Sequence, residues 1–148
     1  MKNGSLNVLC IDDDEMHVEM LRRASAKDGR PLEIFSQPCG DDALEFLRGG
    51  ARRPDFILLD CNMPGKDGLS VLQDIKTDPT LRTIPVLMLS GVSEPAKIHR
   101  AYENGANLYF VKTLTLESYA ALVSLILTLW GTAELPSGGT PEPANVVE

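Results

Sequence analysis

Short apolar runs alternate with amphipathic segments along the chain, and the alternation repeats five times. The apolar runs are LNVLCI (6–11), LEIF (32–35), DFILL (55–59), IPVLMLS (84–90) and NLYFV (107–111). The segments that follow them carry apolar residues at helical spacing and cover 15–27, 41–47, 69–75, 95–105 and 116–130. Three of the runs are continuously apolar, which is typical of parallel strands covered on both faces. The pattern predicts an α/β domain with a doubly wound, five-stranded parallel sheet.

The composition changes after residue 130. Residues 131–148 are rich in proline, glycine and small side chains, so we expect a flexible tail there. Residues 1–130 then form the single folded domain that a chain of 148 residues predicts. We therefore expect no DNA-binding or catalytic domain after it, because the length leaves no room for one.

Charge and cysteine content exclude several kinds of partner. The formal net charge of −7 disfavours nonspecific binding to nucleic acids and anionic membranes. The most apolar stretch, ALVSLILTLW, is shorter than the roughly 20 residues that a membrane-spanning helix needs. Cys10, Cys39 and Cys61 form no C-x-x-C pair and are odd in number, which disfavours a disulfide framework. We therefore expect a cytoplasmic protein that binds neither nucleic acid nor membrane.

Polar side chains follow four of the five predicted strands. They are Asp12, Asp13 and Asp14 after the first strand, Asp60 after the third, Ser90 after the fourth and Lys112 after the fifth. Because the carboxyl ends of parallel strands form one edge of the sheet, where doubly wound folds place their sites, we expect these residues to line one pocket.

Several carboxylates in one place need a cation to stay ionised together. Carboxylate oxygens with room for water suit Mg²⁺, which proteins hold through one or two carboxylates together with a phosphate oxygen. A phosphoryl group drawn to that cation would meet Asp60, which would attack it as a nucleophile and become an acyl phosphate. Lys112 would pair with the phosphoryl oxygens, and Ser90 would donate a hydrogen bond to one of them.

Four motifs, in this order, resemble the receiver domains of two-component response regulators. They are IDDD (11–14), LLDCNMPGKDG (58–68), PVLMLSG (85–91) and NLYFVK (107–112). The resemblance extends over about residues 6 to 130 and implies a flavodoxin-like fold with strand order 2-1-3-4-5. It implies phosphorylation by a histidine kinase in a phosphorelay. It also implies a phosphoacceptor that is not an enzyme beyond slow hydrolysis of its own acyl phosphate.

The resemblance assigns roles to individual acidic-pocket residues. It implies Asp60 as the phosphoacceptor, Asp13 as a direct Mg²⁺ ligand and Asp12 as a ligand through water. It adds a metal contact from the backbone carbonyl of Asn62.

Ser90 and Lys112 match the switch hydroxyl and the lysine of the family. Tyr109 matches the switch aromatic, which turns inward when the hydroxyl moves to the phosphate; the alternative for Tyr109 is ordinary strand packing. The chain departs from the family after Lys112, where Thr113 stands in place of the usual proline. A cis bond there would cost about 3–4 kcal/mol without proline, so either a strained cis bond persists or the loop is built differently.

Two further stretches are similar to a subgroup of the family. TDPTLRTIPV (77–86) and LTLWGTAELP (127–136) resemble stand-alone receivers associated with bacterial phytochrome-type histidine kinases. The resemblance implies such a kinase as partner, with a histidine phosphotransfer protein as a second class of partner.

Two other functions remain open for the same residues. An aspartate-nucleophile phosphohydrolase needs an acid two residues after the nucleophile, and that position is Asn62, which cannot act as a general acid. A receiver-like adaptor would bind partners without phosphorylation, although the complete set of acids, hydroxyl and lysine argues against it. The acids after the first strand also suit a helix N-terminus by themselves.

Three residues are assigned no role in the site. His17 and His99 lack the spacing of metal ligands, so we expect both at the surface. We expect Cys61 to pack rather than to act in redox chemistry.

The last helical segment is apolar over more than one face. One stripe consists of Leu116, Tyr119, Val123, Ile126 and Trp130, and a second consists of Leu122, Leu125 and Leu129. Together they exceed the apolar face of roughly 100° that a single core contact needs. The second stripe predicts a homodimer interface; the alternative is that the tail folds back and covers it.

Overall fold

The computed structural model describes residues 4–63, 65–91, 93–112 and 115–133. Strands and helices alternate along the chain as β1 Leu6–Ile11, α1 Glu15–Asp28, β2 Leu32–Gln37, α2 Gly40–Gly49, β3 Phe56–Asp60, α3 Gly68–Thr77, β4 Val86–Ser90, α4 Pro95–Glu103, β5 Leu108–Val111 and α5 Leu116–Thr132. All neighbouring strands pair in parallel, in the order β2-β1-β3-β4-β5. The predicted doubly wound sheet and its strand order are confirmed.

The three central strands separate two apolar layers, because successive side chains of a strand point to opposite faces. The layer under α1 and α5 receives Leu6, Val8, Cys10, Phe56, Leu58, Leu87 and Leu89. The layer under α2, α3 and α4 receives Leu9, Ile11, Ile57, Leu59, Val86 and Met88. Each large apolar side chain buried in this way stabilises the fold by about 1.5–3 kcal/mol. The carboxyl ends of the central strands are therefore fixed by packing on both faces.

Some boundaries differ from the predicted ones. β2 continues to Gln37, which pairs with Ile11 at the end of β1. The fourth strand begins only at Val86, because Ile84 belongs to the preceding turn and donates its N–H to the Leu81 carbonyl at 3.0 Å. α5 extends two residues into the predicted tail and ends at Thr132. The rest of that tail, 134–148, lies outside the described residues, as does the predicted choice at the Lys112–Thr113 bond.

None of the described helices is both long enough and apolar enough to cross a bilayer.

Candidate functional site

The strand register brings the predicted polar residues to one edge of the sheet. Ile11 pairs with Leu59, so that Asp12 and Asp60 follow at the same level. Ser90 pairs with Val111, and the N–H of the next residue, Lys112, donates to the Ser90 carbonyl at 2.6 Å. The site is therefore built from the ends of β1, β3, β4 and β5.

Asp12 is buried, and each of its carboxylate oxygens has a hydrogen-bond partner. Its Oδ1 accepts a hydrogen bond from the backbone N–H of Asp14 at 2.9 Å, and its Oδ2 lies 2.9 Å from Lys112 Nζ. Asp14 in turn caps α1, because its carboxylate accepts from the Met16 N–H at 2.9 Å. One of the three acids after the first strand, Asp14, is thus a helix cap, as the alternative interpretation of these acids predicts. Asp12 is not a cap, because its side chain contacts Lys112 at the sheet edge.

Asp60 is also buried, at the end of the fully buried strand β3. Its Oδ1 accepts from the Asn62 N–H at 3.3 Å and lies 3.4 Å from Lys112 Nζ. Burial raises the pKa of Asp60 by more than the nearby charge of Lys112 lowers it, and the charge of Asp12 raises it further. The carboxylate is therefore destabilised in the folded protein and would gain from an additional cation.

A close approach of α3 shapes the loop after Asp60. The N–H of Gly68 donates to the Cys61 carbonyl at 3.1 Å. A Cβ at Gly68 would collide with the backbone carbonyl oxygen of Asp60 and would lie 2.7 Å from Cys61 Cα. A side chain at this position would push β3 and α3 apart, so the packing requires glycine here.

Three carboxylates can share one ion. Oxygens of Asp12, Asp13 and Asp60 lie within 4.8 Å of one another, and Asp13 is exposed where the other two are buried. Asn62 lines the same cleft as Asp13 and Asp60. An all-oxygen set open to water on one side is the environment that hard divalent cations such as Mg²⁺ prefer, so the residues present fit the predicted ion.

Lys112 lies between the two buried carboxylates, and its own side chain is only 7% exposed. Burial lowers the pKa of Lys112, but the hydrogen bond and charge of Asp12, together with the charge of Asp60, raise it overall. The ammonium group therefore stays charged beside Asp60.

The side chains of Ser90 and Tyr109 form a hydrogen bond with each other. Ser90 is fully buried, and Tyr109 is partly buried against the layer under α2, α3 and α4. Burial raises the pKa of Tyr109, and a hydrogen bond from Ser90 lowers it. Burial likewise raises the pKa of Cys61, which hydrogen bonds from Tyr109 and Ser90 lower. Cys61 is thus packed, as expected, and also forms a polar contact with the two predicted switch residues.

The expectation that His17 lies at the surface is wrong. Its side chain is only 16% exposed, and its Nδ1 lies 3.1 Å from Asp12 Oδ2 and 2.9 Å from Lys112 Nζ. In the sequence, the indication that His17 lies near the site is its position on the first turn of α1, directly after the acids. His99 is exposed, as expected.

The predicted interface triad on α5 is divided by the packing. Leu122 is 9% exposed and belongs to the core layer under α1 and α5, and Leu129 packs partly against it. Leu125 is 39% exposed. It lines an apolar groove of about 210 Å³ between β5 and α5, together with Val111. Only Leu125 of the triad is therefore an exposed apolar side chain.

Comparison with known proteins identifies the family of the chain. A family model described as the response regulator receiver domain matches residues 8–124. The response regulator Rcp1 of Synechocystis sp. is 38% identical over 136 residues, covering 88% of this chain and 92% of Rcp1.

Two solved structures share the fold. The phosphorylated cyanobacterial phytochrome response regulator RcpA has a TM-score of 0.82 and 34% identity, covering 90% of this chain and 100% of that one. The Mn²⁺-bound form of Rcp1 has a TM-score of 0.79 and 29% identity, covering 89% and 99%. The chain therefore belongs to the response regulator receiver domain family of two-component signalling systems.

Proposed function

We propose that a sensor histidine kinase phosphorylates this chain on Asp60 in a Mg²⁺-dependent reaction. The observation that supports the proposal is the position of the Asp60 carboxylate, which lies close to two further carboxylates and 3.4 Å from the Lys112 ammonium group. Receiver domains take their signal from sensor histidine kinases, and this chain is a receiver domain. We further propose a phytochrome-type kinase, because RcpA is described as a phytochrome response regulator.

The transfer step exchanges one bond to phosphorus for another. A carboxylate oxygen of Asp60 forms a bond to phosphorus while the bond between phosphorus and the kinase histidine nitrogen breaks. The departing imidazole nitrogen takes the electron pair and later a proton. Lys112 offsets the negative charge on the phosphoryl oxygens during this exchange. Asp12, Asp13 and Asp60 would hold Mg²⁺, with the Asn62 carbonyl, and the ion would neutralise the same oxygens when bound.

The phosphorylated state would be transmitted through the contact between Ser90 and Tyr109. Ser90 would turn its hydroxyl to a phosphoryl oxygen and release its hydrogen bond to Tyr109. Tyr109 lies on β5, next to α4 and α5, so its repacking would change the surface offered to partners. A histidine phosphotransfer protein would be one such partner, and water entering the same cleft would slowly hydrolyse the acyl phosphate.

The phosphohydrolase alternative lacks its acid. The side chain two residues after Asp60 is Asn62, and its Oδ1 accepts a hydrogen bond from Lys97 Nζ at 2.9 Å. An amide held in this way cannot supply the proton that the leaving group of each turnover needs.

Incubation with acetyl phosphate and Mg²⁺ is expected to add one phosphoryl group to the protein, because the site binds the phosphoryl oxygens without help from a kinase. Intact mass spectrometry gives the number of groups, and peptide mapping is expected to place the group on Asp60. Excess EDTA should prevent the reaction, since without the ion the three carboxylates repel the incoming phosphoryl group. An unchanged mass with both reagents present would refute the proposal, and rapid multiple turnover of a chromogenic phosphate ester would favour the phosphohydrolase.

We also propose that two copies associate through α5. Leu125 and Val111 are 39% and 45% exposed, and both line the apolar groove between β5 and α5. A second copy would remove this apolar surface from water. Leu122 and Leu129 would support the interface from beneath, because they pack into the core layer under the helix.

Leu125→Glu is expected to convert a dimer into a monomer, because a carboxylate would be buried in an apolar contact without a partner. Sedimentation equilibrium at high micromolar concentration measures this. Ala120→Glu, on an exposed position of the same helix, is the matched control and should leave the dimer intact. A monomeric unmodified chain, with and without a phosphoryl mimic, would contradict the proposal.

A further inference from the structure

We propose that His17 is a positioning residue that aims the Lys112 ammonium group at the phosphoacceptor, an inference that rests on the proposed function. Nδ1 of His17 lies 2.9 Å from Lys112 Nζ, the same distance as Asp12 Oδ2. Asp60 Oδ1 is farther away, at 3.4 Å. The imidazole is thus a closer partner of the ammonium group than the phosphoacceptor itself.

The start of α1 places the ring there. Asp14 caps the helix, and the His17 N–H donates to the Asp14 carbonyl at 3.1 Å. The first turn of the helix therefore begins directly above the end of β1. On its other side the His17 ring faces Tyr119 of α5, with the ring centroids 6.5 Å apart. The imidazole projects from α1 and packs beside Tyr119 of α5, which restricts its rotation away from Lys112.

The hydrogen-bonding roles follow from the chemistry of the ammonium group, which donates only. For Nδ1 to accept from Lys112 with its lone pair, the ring proton has to lie on Nε2. Nε2 is 3.5 Å from Asp14 Oδ2, an acceptor on the side where that proton lies. Nδ1 and Asp12 Oδ2, which are 3.1 Å apart, then accept from the same ammonium group.

As a hydrogen-bond acceptor without a negative charge, the imidazole orients Lys112 and leaves its positive charge in place. An ammonium group carries three N–H donors on a flexible stem, and a stem of this length has many orientations available. With Asp12 and His17 taking two donors, the third points to Asp60. A third carboxylate in place of His17 would fix the direction equally well but would neutralise the charge that phosphoryl oxygens need. The imidazole therefore preorganises the lysine for the transfer.

The test compares His17→Leu, which removes the acceptor, with His17→Asn, which places an amide oxygen near the position of Nδ1. The rate constant of phosphorylation by acetyl phosphate is measured at saturating Mg²⁺. We expect His17→Leu to react about tenfold more slowly, the effect of losing one hydrogen bond to a charged group. His17→Asn should stay close to the unmodified rate, and both variants should reach the same final mass, because Asp60 is intact.

Equal slowing of both variants would overturn the inference, since the ring would then act by packing. Unchanged rates in both would overturn it as well. The ¹⁵N spectrum of His17 tests the hydrogen bond independently of phosphorylation: Nδ1 should be unprotonated in the unphosphorylated protein and should shift in Lys112→Met. A protonated Nδ1 would overturn the inference even where Asp60 is phosphorylated. An unprotonated Nδ1 in a protein that never gains a phosphoryl group would refute the phosphoacceptor proposal, and the positioning role with it.

Discussion

Replacing Asp60 by asparagine is expected to abolish phosphorylation completely and to raise the melting temperature of the metal-free protein by a few degrees. Asparagine has nearly the same shape but no carboxylate oxygen with which to form an acyl phosphate. The gain in stability follows from the electrostatics. Burial raises the pKa of Asp60 by more than Lys112 lowers it, so the fold disfavours the ionised form. A raised carboxyl pKa means lost stability above that pKa, and removing the charge recovers it at neutral pH.

Asp55→Asn is the matched control for this variant. Asp55 lies just before the same strand, at its opposite end, and its Oδ2 accepts from the Asn7 N–H at 2.9 Å. Asp55→Asn should be phosphorylated at the normal rate and should gain no stability. Intact mass and thermal unfolding, each with EDTA and with Mg²⁺, give both readouts. A phosphoryl group on the Asp60→Asn protein would mean that another residue is the acceptor.

The strand-end acids could be predicted because their position depends on only two features of the sequence. Apolar alternation locates the strands, and parallel pairing brings the strand ends to one edge, so Asp12, Asp60 and Lys112 had to converge. The first feature is a local pattern, and the second follows from the helix that separates each strand from the next. The site that results needs no information on side-chain packing.

His17 could not be placed in the same way, because its location depends on where α1 begins relative to β1. The Asp14 cap sets that point, and a shift of one residue would rotate the side chain by about 100°. The burial of Leu122 has a similar origin. Helical spacing groups it with Leu125. Which of the two is covered depends on how α5 packs against α1 and the sheet, and helical spacing carries no information on that packing.

Lys112→Met is expected to slow phosphorylation by about 100-fold or more and to destabilise the metal-free protein by about 3 kcal/mol. The first effect is that of losing one preorganised charged donor to the transferred group. The second arises because Asp12 and Asp60 remain buried without their shared cation, and an uncompensated buried charge is strongly destabilising. Mg²⁺ should therefore raise the melting temperature of Lys112→Met more than that of the unmodified protein, since the ion then replaces the positive charge that both carboxylates have lost.

Lys76→Met separates these effects from the general cost of removing a partly buried lysine. Lys76 Nζ donates to the backbone carbonyls of Arg82 and Ile84, at 3.1 and 2.9 Å, and to Asn107 Oδ1 at 3.2 Å. These partners are neutral, so burial lowers the pKa of Lys76, whereas the carboxylates raise that of Lys112. Lys76→Met should therefore lose stability equally with and without Mg²⁺ and keep its phosphorylation rate. If Lys112→Met behaved in the same way, Lys112 would be a structural residue, and the charge that meets the phosphoryl group would have to come from elsewhere.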